Sequence, residues 1–283
     1  MPPDAAPRGS AAAPPGRSPD DLIADFSLVW SSLSDLGASL SSPDWDIPTD
    51  CPGWDVRDQY AHMIGTESVL LGLPAPAPVQ AAHAKNPMGE ANEGWVAGWR
   101  GQPGPVVLAA FRDVTERRLA ALRAMTAAEW EAQTVTPVGP GTYGLFMEVR
   151  VFDCWIHEQD VRRAVGRPGH MSGPVAELAM SRLTGPLGFV VGKRVGAADG
   201  VSVVASLSPP LAQTLAVAVS GGRGVAVDPP ADPTVRIRSD GETWACLCAG
   251  RWDADRVLAT GRVEFDGDAA LGRQVIEQLT ITP

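Results

Sequence analysis

The sequence predicts an up-and-down four-helix bundle followed by a smaller α+β domain with antiparallel strands. Three observations carry that prediction. Apolar residues recur at helical spacing in successive segments over about 18–165. Two of those segments carry polar, chemistry-bearing groups that point inward, as bundle sites require. The later part of the chain changes to short Val-rich runs separated by Gly, Pro and Asp. With 283 residues there is room for two domains, each with its own core. The expected division is a disordered tail over 1–17, the helical bundle over 18–170, and a linker helix with the α+β domain over 171–283.

The first stretch, MPPDAAPRGSAAAPPGRSP, has too few large apolar groups to offset the entropy of ordering it. Beyond it, Leu22, Ile23, Phe26, Val29, Trp30, Leu33 and Leu36 form an apolar stripe, with Ser18 placed to cap the helix and Pro19 as its first residue. The Pro/Gly segment 48–53 stops the chain, and Val56, Tyr60, Met63, Ile64, Glu67 and Leu70 then set a second helix that contains His62. After the Pro-rich loop LPAPAPVQ, a third helical region covers about 90–125, interrupted by GQPGP. The fourth covers about 142–165, where Gly166 and Pro168 end it. A further helix is expected over about 174–191. The segments GVSVVASL, LAQTLAVAVSG, RGVAVD and PTVRIRS read as antiparallel strands, and a last helix covers about 268–279.

Composition narrows the function classes. Hydrophobic residues make up 45% and charged residues 20%, as in soluble globular proteins. No stretch approaches the roughly 18 apolar residues of a membrane span. The N-terminus has no basic region followed by an apolar one, so a cytoplasmic protein without a membrane partner is expected. A net charge of -10 and a pI near 4.9 oppose attraction to nucleic acid phosphates. Lys85 and Lys193 are the two lysines, and the excess of Arg, Ala and Gly suggests a GC-rich coding sequence. Cys51, Cys154, Cys246 and Cys248 include no C-x-x-C pair and read as reduced, mostly buried thiols.

One stretch carries the chemistry: RVFDCWIHEQDVRRAVGRPGH, residues 150–170. Positions four apart share a helical face, so Asp153 and His157 can reach one divalent cation. A third ligand must come from another helix. His62 is the best candidate, because His83 and His170 lie in loop-like contexts. Spacing alone leaves a second reading open, in which a hydrogen-bonded histidine has an acidic neighbour by chance. Asp160 has two readings as well: it accepts the second ring N–H of His157, or it pairs with Arg162 or Arg163. Glu158 points about 100° away from His157 and reads as part of a solvated or structural ion pair, set against a catalytic acid/base role. Cys154 turns away from the ligand face, and Trp54 and Trp155 read as core anchors. In the C-terminal part, Arg236, Arg238 and Arg251 are candidates to grip a substrate or thiol carboxylate, each set against a plain surface role.

The stretches CPGWDVRDQYAHMIG and DCWIHEQDVRRAVGRPGH resemble, in order and on the expected helices, the two signatures of the mycothiol-dependent maleylpyruvate isomerase family. The resemblance covers about 18–186 well and the remainder more loosely. It implies a DinB-like metal-binding bundle joined to a sterol-carrier-like domain. It also implies a metal triad of His62, Asp153 and His157; many family members have Glu where this chain has Asp153. The implied metal is zinc, with nickel and iron as alternatives. The implied cosubstrate is mycothiol, a low-molecular-weight thiol that attacks a small electrophile in isomerisation or S-transfer. Together with the composition this leads us to expect an actinobacterial source and a monomer or homodimer. Two rivals remain: a non-catalytic metal- and ligand-binding or regulatory protein, and a metal-dependent hydrolase with water in place of the thiol.

Overall fold

A computed structural model describes residues 16–282, so the expected tail lies outside the described residues except for its last two. Arg17 is anchored: its backbone N–H donates to Glu148 at 2.9 Å and its guanidinium to the Pro174 carbonyl at 2.7 Å. Helix α1 (Pro19–Ala38) begins as its sequence dictates, with Ser18 Oγ accepting from the Asp21 N–H. A 3₁₀ turn (Ser42–Asp46) and the Cys-Pro-Gly turn lead into α2 (Val56–Leu70), which is closed by reciprocal bonds between Asp55 and Asp58. Gly53 sits in that turn at φ 81°, and a Cβ there would lie 2.2 Å from the His83 ring, so the position admits glycine alone.

The third region splits at GQPG into α3 (Pro87–Trp99) and α4 (Gly104–Ala124). A one-turn helix α5 (Ala127–Trp130) precedes a hairpin of β1 (Gln133–Thr136) and β2 (Gly139–Thr142), which sequence reading did not anticipate. Helix α6 (Tyr143–Ala164) follows, capped by Thr142. Helices α1 and α2 each pack on both α4 and α6, which closes the four-helix bundle. Phe26, Trp30, Leu33, Tyr60, Phe111, Met147 and Trp155 fill its core. Unusually for such a helix, α6 also buries Arg150, His157, Glu158, Gln159 and Asp160, so a polar layer crosses the bundle.

The expected linker helix is interrupted at Gly185 and Pro186. Helix α7 (Pro174–Thr184) ends there because proline supplies no N–H to continue the ladder. A single turn α8 (Leu187–Phe189) then runs into a π-helical turn, Val190–Arg194. The α+β domain is built on a five-stranded sheet of β3 (Ser202–Ser208), β4 (Gln213–Ser220), β5 (Arg223–Ala226), β6 (Val235–Asp240) and β7 (Val263–Gly267). Its order is β5-β4-β3-β6-β7. Three pairings are antiparallel as expected, but β3 and β6 run parallel, because the chain leaves β5 and crosses to the other side of β3. Helices α9 (Gly241–Cys248), α10 (Ala254–Ala259) and α11 (Ala269–Glu277) complete the domain. Helix α9 packs on α7, which joins the two halves of the chain. Among the described residues no helix is long and apolar enough to cross a membrane.

Candidate metal centre

Helices α2 and α6 lie side by side, and each contributes a polar face to the bundle interior. The side chains of His62, Asp153 and His157 converge, with one ligand atom from each lying within 4.8 Å of the others. His62 Nε2 is 3.1 Å from Asp153 Oδ2, and His157 Nε2 is 3.5 Å from Asp153 Oδ1. Four-coordinate zinc with bonds of about 2.0–2.1 Å sets its ligand atoms roughly 3.3 Å apart. The two observed separations, one to each oxygen of the Asp153 carboxylate, are both close to that value, and the donors, two imidazoles and a carboxylate, are those zinc takes.

The tautomer of His157 is fixed by its neighbours. Its Nδ1 lies 2.5 Å from Gln59 Oε1, and Gln59 Nε2 donates to Thr49 Oγ1 at 2.7 Å. Thr49 Oγ1 itself donates to the Trp54 carbonyl, so it must accept from Gln59, and the amide cannot be turned round. An amide oxygen only accepts. Nδ1 of His157 therefore carries a hydrogen, and Nε2 of the neutral ring presents a lone pair to Asp153 Oδ1. Two electron-rich atoms that face each other in a buried site require a proton or a metal ion between them.

Titration tells the same story. Burial opposes a charged His157 ring, but the Asp153 carboxylate, helped by Asp160, overrides it and raises the pKa above 6.5. At His62 burial wins over Asp153 and pushes the pKa down to about 4. Its Nδ1 is a buried polar atom without a hydrogen-bond partner among the described residues. Burial would raise Asp153, yet Arg150 and the two histidines hold it well below the usual carboxylate range. The site thus offers a neutral imidazole, a carboxylate and one proton that a cation can displace. We predict that ion binding just below pH 6.5 releases protons from His157 and none from His62, and that the release fades in alkaline solution. Calorimetric titration in buffers of different ionisation heat measures it, and zero release would contradict the assignment.

Around the triad the structure gives each residue of the cluster its partners. Asp160 pairs with Arg163 and Arg251, while its Oδ2 lies 3.6 Å from His157 Nδ1, beyond hydrogen-bond distance of a ring nitrogen whose hydrogen goes to Gln59. Glu158 is fully buried between Ser32, Arg162 and His170, an internal ion pair rather than a solvated one. Trp155 is a core anchor whose indole N–H reaches the His170 carbonyl. Trp54 lies against the site, its ring 5.1 Å from His62 and 5.7 Å from His157, with its N–H on buried Glu93. Asp153 keeps 30% side-chain exposure and so marks the open side of the triad.

Of the three C-terminal arginines, Arg251 alone reaches this cluster, closing on Asp160 at 2.9 Å. Arg236 and Arg238 alternate with buried Val235, Ile237 and Ser239 on β6, and Arg238 pairs with Asp266 on the outer face of the sheet. Sequence reading missed Gln59, Glu67 and Arg150. Each left a trace: Gln59 lies three before His62, Arg150 three before Asp153, and Glu67 is a charge set in an apolar stripe.

Residues 26–162 match the model of the mycothiol maleylpyruvate isomerase N-terminal domain, and residues 193–280 match the SCP-2 sterol transfer family. An uncharacterized protein of Mycobacterium tuberculosis is 27% identical over 258 residues, covering 89% of this chain and 92% of the relative. The crystal structure of the mycothiol-dependent maleylpyruvate isomerase superposes with a TM-score of 0.56 at 16% identity, over 83% of this chain and 90% of that one. A histidine-to-alanine mutant of that enzyme gives 0.54 at 15% identity, over 88% and 93%. At such identities the superpositions show a shared fold.

Proposed function

Because the chain joins a mycothiol maleylpyruvate isomerase N-terminal domain to a domain of the SCP-2 sterol transfer family, we propose that it is a metal-dependent enzyme that uses mycothiol either to isomerise a small electrophile or to displace a leaving group from it, joining the thiol to it through sulfur. The observation that carries the metal reading is the convergence of His62, Asp153 and His157, with one ligand atom from each within 4.8 Å of the others. His62, Asp153 and His157 would hold the ion, and zinc, as a Lewis acid, would lower the pKa of a thiol bound beside it.

The residues around the triad do the rest. Gln59 holds the His157 ring in one tautomer and one orientation. Trp54 excludes water from one side of both imidazoles. The protein's own thiols are poor nucleophiles: burial pushes Cys51 up to about 11 and Cys154 and Cys246 up to about 12, and raises Cys248 as well. Cys51 stands beside His157 and Asp160 and still stays protonated at neutral pH. The nucleophile therefore arrives with the cosubstrate, which favours a thiol-using enzyme over one with a protein nucleophile.

The ligand role of Asp153 is tested by two substitutions. Asp153→Asn removes the anionic oxygen and should weaken metal binding about 10-fold or more, whereas Asp153→Glu should retain the ion. Competition with a chromophoric chelator ranks the three proteins. Equal retention by the wild type and the Asn variant would remove Asp153 from the ligand set.

A further inference from the structure

We propose that Arg150, clamped by Glu67, is a positioning residue that takes up Asp153 Oδ2 and so restricts the carboxylate to one-oxygen ligation of the metal through Oδ1. The inference rests on the metal reading above.

The clamp lies within hydrogen-bond reach of the triad, on the bundle side of it. Glu67 is fully buried on α2, yet it is a carboxylate. Its Oε1 accepts from Arg150 Nε at 3.1 Å and NH2 at 2.8 Å, and its Oε2 accepts from Arg118 Nε at 2.9 Å. Arg118 and Arg150 are themselves 2% and 4% exposed in their side chains, so neither cation has water as an alternative partner. Arg118 is further tied to the Tyr143 hydroxyl at 3.0 Å. With Nε and NH2 spent on Glu67, the guanidinium has NH1 left, and NH1 donates to Asp153 Oδ2. Oδ2 is thereby shared between Arg150 and His62, and Oδ1 is the oxygen turned toward His157.

Such a device has a chemical reason. A short aspartate can rotate to present both oxygens to an ion, which raises the coordination number and occupies the position a ligand would take. A guanidinium fixed by a buried carboxylate holds one oxygen back and leaves that position open. Among the described residues neither Glu67 nor Arg118 makes a hydrogen bond or ion pair with the triad, and the link to it runs through Arg150.

The test uses the full-length protein loaded with Co²⁺, whose visible bands are intense in four-coordinate sites and weak in five-coordinate ones. Wild-type protein should show the intense bands. Arg150→Met should bind Co²⁺ with bands weakened several-fold, because Oδ2 is released to the ion. Since Arg150→Met leaves Glu67 with Arg118 as its cation partner and can loosen the bundle, Arg150→Gln, which keeps an amide to donate to Glu67, is measured beside it and should show the same loss. Wild-type bands in whichever of these variants folds would overturn the proposal. Failure of the wild-type protein to take up Co²⁺ would instead remove the metal reading, and this inference with it.

Discussion

Replacing His157 by alanine should abolish retention of a stoichiometric metal ion, and replacing His62 should do the same. Both imidazoles face the single carboxylate of Asp153, at 3.5 and 3.1 Å, and three protein ligands are what a catalytic zinc site usually has. Losing one leaves a two-ligand site whose affinity should fall by more than the roughly 10–100-fold that follows loss of a hydrogen bond to a ligand. Gln59→Leu supplies that smaller comparison, because it removes the acceptor at His157 Nδ1 and leaves the ligand in place. Elemental analysis after gel filtration, with chelator competition for the Gln59 variant, separates the three outcomes. Unchanged metal content in both histidine variants would eliminate the triad.

Asp160→Ala should destabilise the folded protein by about 3 kcal/mol, near the lower end of what removing one partner of a buried ion pair costs. Asp160 is fully buried, and it closes on Arg251 from the C-terminal domain and Arg163 from its own helix. Without it Arg251 keeps a carbonyl contact at Ala249 and no carboxylate, while Arg163 still has Asp50, which holds the cost to the lower figure. Burial would raise the Asp160 pKa, but Arg251, His157 and Arg163 depress it well below 3.8. Because the folded value lies below the unfolded one of about 3.9, the stability it contributes is complete above that pH. It is lost as the pH falls through the folded value. Urea unfolding at pH 7 and at acid pH should therefore show the wild type and Asp160→Ala converging in acid. A constant gap between them would contradict the assignment.

Much of this molecule was legible in its sequence. The bundle followed from apolar spacing, because each helix has a wide stripe to bury, as at Leu22, Phe26, Val29 and Leu33. Asp153 and His157 were legible as a pair, since positions four apart on a helix share a face, while His62 came in as the histidine outside the loop-like contexts and through the family resemblance. What could not be read was anything set by pairing at a distance. Gln59 binds His157 across 98 positions, Arg150 meets Glu67 across 83, and Arg251 meets Asp160 across 91. No periodicity encodes such partners. The same holds for the parallel pairing of β3 with β6, which depends on a crossover, and for β7, whose Glu264 and Asp266 break the Val-rich signal. Arg236, Arg238 and Arg251 looked equivalent in sequence; strand alternation turned the first two outward, and the left-handed turn at Gly250 brought Arg251 inward.

The central claim is that the metal at His62, Asp153 and His157 activates a thiol brought by the cosubstrate. The most direct measurement is the rate at which maleylpyruvate, then a panel of unsaturated diacids, epoxides and alkyl halides, is consumed by zinc-loaded and metal-stripped protein, each with and without mycothiol. The account predicts turnover of at least one of these electrophiles when zinc and mycothiol are both present, and none when either is withheld. Turnover by the metal-stripped protein, or by the zinc protein without thiol, would contradict it.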